Sequence, residues 1–519
     1  MTARRGVCTN LGRCKMAGAV QEVDPADFTC HGCGRPLVAQ NSDAEATSRF
    51  PLGVGMGVAV FALMAGFSFW VVQSGEPGAA PAAPVLQASV APVAPVQPAR
   101  ESGPARVLLR LAGSGAIGAR LAPALAEAYL ASLGATGVQT APGAGGEVKV
   151  EGTKDGGLQV VTIAVQGPGA GFDALQNGTA DIGMSSRRVR SDESQKLASL
   201  GAMTSPANEH VLALDGVAVI VSRANPVAEL SRQQLAAVFS GRVTDWSGVK
   251  GRAAAIHLFA PGETSGTSSV FQTVVLGTTP FSPAVKRLED HQAVLNAVVA
   301  DPDAIGFAPL PYTRGAKVLA VAEADAMPMI PTAFTLATED YLLARRLYLY
   351  TGQASSNPHV PLFLDFALGP QGQAIVKKSG FVELTVKAEP RSAPEGAPSD
   401  YVRLTAGARR LSTSFRFVVG SSELDNRAMD DLERVTGFLR DNDLNGASVK
   451  LLGFADNSGG PGVNLALSRV RARRVAVALA QRGISGVAMA GFGAALPVTS
   501  NSTEDGRERN RRVEIWISK

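Results

Sequence analysis

From Val107 to the C-terminus, short apolar runs alternate with stretches of helical periodicity, which predicts an α/β architecture for most of the chain. Val107-Leu108-Leu109-Arg110-Leu111-Ala112 and Gly216-Val217-Ala218-Val219-Ile220-Val221 read as strands. Later, Leu411, Thr413, Phe415, Phe417 and Val419 alternate with Ser412, Ser414, Arg416 and Val418. That is the pattern of a strand with one face in a core and the other in water. Met429, Leu432, Val435 and Leu439 then follow at helical spacing, and Arg512-Val513-Glu514-Ile515-Trp516-Ile517 ends a β, α, β, α, β order, an α/β sandwich over 404–519. The stretch 51–73 is different. Leu52 to Val72 carries no charge, and a helix of that length spans the ~30 Å hydrocarbon core of a bilayer. Two stretches, 74–105 and 387–403, are rich in Pro and Ala and read as linkers. Between them, 106–386 forms one large domain.

Composition changes the picture at the N-terminus. All four cysteines of this 519-residue chain, Cys8, Cys14, Cys30 and Cys33, precede the apolar span. Cys30-His31-Gly32-Cys33-Gly34 is a knuckle that presents two thiolates on a tight turn. Residues 1–40 are too few to bury a sufficient core, so a structural Zn²⁺ held by the four thiolates is expected. The unit resembles the zinc ribbons that precede membrane anchors in some bacterial envelope proteins. A redox Cys-x-x-Cys would account for only two of the four. Arg4, Arg5, Arg13, Lys15, Arg35 and Arg49 precede the span, whereas 73–96 carries only Glu76. The positive-inside rule then orients a single-pass inner-membrane protein with a cytoplasmic N-terminus and a periplasmic bulk. A formal charge of +4 gives no case for nucleic acid.

Three Gly/Ser-rich turns in the large domain feed helices. They are Gly113-Ser114-Gly115-Ala116-Ile117-Gly118, Gly167-Pro168-Gly169-Ala170-Gly171 with Ser185-Ser186-Arg187-Arg188 beyond it, and Gly262-Glu263-Thr264-Ser265-Gly266-Thr267. Free amides and the dipole at a helix N-terminus favour an anion. Together with Val238-Phe239-Ser240-Gly241 and Ile305-Gly306-Phe307, these segments resemble the periplasmic phosphate-binding proteins of ABC transporters. The resemblance implies a two-lobed clamshell, with Ala116, Ile117, Gly169, Ser186, Ser265, Gly266 and Thr267 lining the cleft for a small oxyanion, phosphate first. The family's proton-accepting Asp stands here as Ser186, and its loop Arg as Pro261. Arg187 or Arg188 is the expected replacement for the lost charge.

The C-terminal segments Gly453-Phe454-Ala455-Asp456-Asn457, Asn464-Leu465-Ala466-Leu467-Ser468-Arg469-Val470-Arg471 and Asn510-Arg511-Arg512-Val513 resemble the OmpA-like peptidoglycan-binding domain. The resemblance implies that Asp456 and Arg471 hold the two charged ends of diaminopimelate, with Asn464 and Arg512 in support. Phe454-Ala455 replaces the family's usual His-Thr. No His sits in a motif beside a nucleophile, and no nucleotide-binding signature is present, so an enzyme is not expected. The expected role is that of an anion-binding protein fastened to both membrane and wall, for sensing or scavenging. The alternatives are the receptor of a phosphate ABC permease and a structural tether with a degenerate cleft. The zinc ribbon would meet a cytoplasmic partner.

Overall fold

The computed structural model describes residues 103–518 except 264, 324–325, 354 and 419–420, and before them 4–7, 20–23, 29 and 38–39. The chain divides into two units, Met1–Glu101 and Ser102–Lys519. In the first, strands Arg4–Val7, Val20–Val23 and Val38–Ala39 form an antiparallel sheet with Arg4–Val7 in the middle. Cys8, Cys14, Cys30, Cys33 and the span 51–73 lie outside the described residues. No helix among the described residues is long and apolar enough to cross a membrane.

The second unit opens with strand β1 (Gly103–Gly113), helix α1 (Leu121–Ser132), β2 (Thr136–Pro142), β3 (Glu147–Lys154), β4 (Gly157–Val165), α2 (Pro168–Gln176) and β5 (Ile182–Ser185). After β6 (Glu209–Val221) come β7 (His257–Pro261), α3 (Gly266–Phe271), β8 (Lys286–Leu288), α4 (His291–Ala300), β9 (Ala304–Pro309) and β10 (Ala344–Tyr350). One sheet runs β8-β7-β9-β6-β10-β5-β1-β4-β3-β2. Strand β6 is buried at all of its 13 positions. Its Leu212 and Ala213 belong to the core around β1, Ile117 and α1, while Val211, Leu214, Val217, Val219 and Val221 belong to a second core that also takes in Phe172 and Leu175 of α2. In β10, Leu347 and Leu349 join the first core and Ala344, Tyr348 and Tyr350 the second. In the strand order the antiparallel pair β6–β10 forms the seam between β7, β8 and β9 on one side and β1 to β5 on the other, and Arg345 lies directly opposite Asp215 in its register.

The C-terminal domain contains β11 (Ala388–Pro390), α5 (Ser399–Thr405), β12 (Arg409–Arg416), α6 (Asn426–Asp441), β13 (Val449–Gly453), α7 (Pro461–Ala480), β14 (Ala488–Gly491), α8 (Glu504–Asn510) and β15 (Arg512–Ile517). Its sheet order is β11-β12-β15-β13-β14. Two expectations change here. The stretch 387–403 supplies an edge strand and a helix, and Ala388 enters the sandwich core beside Leu411 and Val435. A proline-bearing strand is tolerated at an edge, where Pro390 leaves no ladder bond unmade inside the sheet. Strand β12 is buried on both faces: Leu411 and Phe415 face the sandwich core, and Arg410, Ser412, Ser414 and Arg416 are also nearly inaccessible. Its polar face is covered by the turn 337–346 of the large domain, where Arg416 Nη2 donates to the Thr338 carbonyl at 2.7 Å and Arg410 Nη1 pairs with Asp340 at 2.9 Å.

Candidate functional site

The cleft is built where β1, β5 and the seam strands end against α3. Gly113 has φ 129°, and a Cβ there would lie 2.2 Å from the Met184 carbonyl, so only glycine fits the turn. That turn sets Ser114, whose amide bonds Met184 O at 2.9 Å. Ser186 follows two residues after Met184. From the other lobe, Gly266 comes so close that a Cβ would sit 2.3 Å from Ser186 Oγ and 3.7 Å from Arg345 Nη1. The lobes therefore meet across Ser186, Gly266 and Arg345.

Arg345 is a buried cation where the lobes meet. Its Nε and Nη2 hold Asp215 Oδ2 at 2.9 and 2.6 Å, and Nη2 also donates to Thr267 Oγ1 at 3.1 Å. Its side chain is 4% exposed and that of Asp215 is fully buried. Arg345 Nη1, Ser186 Oγ and Ser114 Oγ are buried and have no hydrogen-bond partner among the described residues. A buried donor normally finds an acceptor, so this cluster has the chemistry of an oxyanion cradle. His291, at the start of α4, belongs to the same neighbourhood. Burial and the charge of Arg345 depress its pKa to about 4, so the ring is neutral at pH 7. Behind the cradle, a cavity of about 250 Å³ is lined by Ser186, Arg345 and Val270 and, from the C-terminal domain, by Arg416, Glu508 and Arg509.

The expected residues separate into groups. Ser186, Gly266 and Thr267 are at the cradle. Ser265 caps α3 by accepting from the Thr267 amide at 3.2 Å. Ala116 lies on the turn Gly115–Gly118, which meets α3 across the cleft. Ile117 is not available: its side chain is in the lobe core and its amide bonds Ser114 O at 3.2 Å. Gly169 lies beside Arg187, 4.0 Å from its would-be Cβ. Arg187 and Arg188 line the same cavity, and each forms a bidentate pair, with Glu193 and Glu209 respectively. Arg345, on a different strand, brings a buried nitrogen, unpartnered among the described residues, to the cradle. Its signal in the sequence was a pair of charges, Arg345-Arg346, inside an otherwise apolar run, since such charges need buried partners.

In the C-terminal domain, Asp456 and Arg471 are 7% and 6% exposed. Arg471 Nη1 reaches only the Phe454 carbonyl at 3.3 Å, and its guanidinium lies 5.5 Å over the Phe417 ring. Burial lowers its pKa, and the nearby charge of Asp456 opposes that. Burial would raise Asp456, but hydrogen bonds from Ser458 and Arg511 more than offset it and hold the carboxyl below its usual range. Arg511 Nη1 donates to Asp456 at 2.9 Å, so Arg511 takes the supporting place expected of Arg512. Arg512 points elsewhere: it pairs with Glu514 at 2.8 Å and stacks 3.9 Å over Phe454. Asn464 Nδ2 ties down the Gly459 carbonyl at 2.8 Å and so shapes the loop after Asp456. Among the described residues no cluster of His, Cys, Asp and Glu could hold a metal.

Residues 98–371 match the PBP superfamily domain, and residues 416–511 match the OmpA family. Protein SphX of Synechococcus elongatus is 30% identical over 240 residues, covering 44% of this chain and 70% of its own length. The phosphate-binding protein PstS of Pseudomonas aeruginosa is 29% identical over 254 residues, 45% of this chain and 78% of its own. Among solved structures, an ABC-type phosphate transport receptor from Vibrio cholerae is 23% identical, covering 53% of this chain and 99% of its own, with a TM-score of 0.42.

Proposed function

The chain belongs to the PBP superfamily, and on that premise we propose that its large domain is a receptor for a small oxyanion, phosphate first, which its C-terminal domain fastens to peptidoglycan. The observation that carries this reading is the set of buried, unpartnered donors Ser114 Oγ, Ser186 Oγ and Arg345 Nη1 where the lobes meet. Relatives that bear the name phosphate-binding protein support phosphate within the oxyanion class. An OmpA-family domain supports the wall as the second partner, with Asp456 taking the ammonium and Arg471 the carboxylate of diaminopimelate. In this reading the protein is an envelope protein without catalytic activity. Cys8, Cys14, Cys30 and Cys33 hold a structural zinc, and 51–73 anchors the chain in the inner membrane. A receptor held at both ends diffuses poorly, which favours sensing or local scavenging over shuttling.

Calorimetry on the full chain tests the reading. Phosphate should bind, and Arg345→Met combined with Asp215→Asn, which leaves neither charge stranded, should weaken it by at least about tenfold, the worth of one hydrogen bond to a charged group. No heat with phosphate or sulfate would sink the receptor and leave a wall tether. Full affinity in the double variant would move the site away from Arg345.

A further inference from the structure

The C-terminal domain grips the turn that leads into the anion cradle. Arg509, on α8, donates from Nη1 to the Tyr341 carbonyl at 2.7 Å and from Nη2 to the Ala344 carbonyl at 2.9 Å. These carbonyls bracket the turn that delivers β10, and the residue after Ala344 is Arg345. The Ala344 amide closes that turn on Tyr341 O at 3.0 Å, and Tyr341 is itself fixed by its hydroxyl donating to Val217 O at 3.1 Å. A planar fork spanning two carbonyls constrains both position and orientation, which a point charge does less well. The adjoining residues are gripped from the same side. Arg346 pairs with Asp425 at 2.8 Å, and Arg427 donates to the Ala337 carbonyl at 2.6 Å.

We propose that Arg509 is a positioning residue for the anion site: it holds the 341–344 turn so that Arg345 stays aimed at Ser186 and Gly266. The wall-binding domain is then a working part of the receptor. This rests on the oxyanion reading above. It predicts that phosphate affinity depends on a residue that touches neither phosphate nor the wall peptide.

The experiment is phosphate calorimetry on the full chain carrying Arg509→Met, Arg509→Lys, or Arg509→Met in the Arg345→Met/Asp215→Asn background. Arg509→Met should raise the Kd at least about tenfold, the scale of one misaligned charge-assisted hydrogen bond. Arg509→Lys, which keeps donors for both carbonyls, should recover part of that loss. In the background lacking Arg345, Arg509→Met should cause no further loss, because it acts through Arg345. A merely structural role would weaken binding equally in both backgrounds, which would overturn the proposal. Sedimentation of Arg509→Met with purified sacculi, unchanged from the parent, would show that the C-terminal domain is still folded. If the parent binds phosphate and Arg509→Met binds it equally well, the proposal fails alone. If the parent binds none, the receptor reading fails and the proposal falls with it.

Discussion

His291 carries a buried Nδ1 without a partner among the described residues, its ring is 5.2 Å from that of Tyr312, and it lies close enough to Arg345 to feel its charge. The neutral ring is favoured in the fold, with a pKa of about 4 against the usual 6.5. Between those values the unfolded chain binds a proton that the folded chain refuses. His291 therefore adds stability that is complete above pH 6.5 and is lost as the pH falls toward 4. The contribution is on the order of 3 kcal/mol. Urea midpoints of the His291→Gln protein should show a shallower decline across that window than the parent. Parallel curves would refute the assignment. At this scale the sequence was only partly readable. Ser186, Gly266 and Thr267 could be found because they lie on one Gly/Ser loop grammar. Arg345 and His291 reach the cleft from distant strand and helix positions, and no local spacing encodes that convergence.

At the scale of elements, the proposed wall site depends on a strand end, a loop and a long helix. Asp456 follows β13, Arg471 is on α7, and Arg511 follows α8. Pull-down on purified sacculi should be largely lost in Asp456→Asn and in Arg471→Met, since each removes one partner of a poorly solvated charge pair, worth ~2–5 kcal/mol. Arg469→Ala, which neighbours the site without contributing to it, should sediment like the parent. Equal loss in all three would indicate general charge attraction, which salt would erase. Elements were the most legible level. Phe415 and Leu432 follow the strand and helix periods that the sandwich then adopts. The reading failed where tertiary cover decides. Ser412, Ser414 and Arg416 have the composition of a solvated face and become an interface, and Ala388-Glu389-Pro390 has the composition of a linker and becomes an edge strand.

At the scale of the whole molecule, the C-terminal domain touches both lobes. Asn426 donates to Thr204 O at 2.8 Å, and the Ser500 amide donates to Glu323 at 2.8 Å. Burial would raise the pKa of Glu339, but Arg346, Arg427 and Arg416 more than offset it and keep it ionised, and two of these three arginines belong to the C-terminal domain. Scanning calorimetry should therefore show the large and C-terminal domains melting in one transition that phosphate raises as a whole. Two peaks, only one of them moved by phosphate, would show that the domains unfold independently. The shared charges also bear on descent. Receptors and wall-binding modules can be joined by gene fusion, and a junction of exposed linkers can be undone as easily. Here, separation would leave Glu339 with Arg346 and Arg427 with Asp431, but would part Asp340 from Arg410 and Glu339 from Arg427. Each half supplies counter-ions to the other, a matching of charges that a junction of exposed linkers would not need.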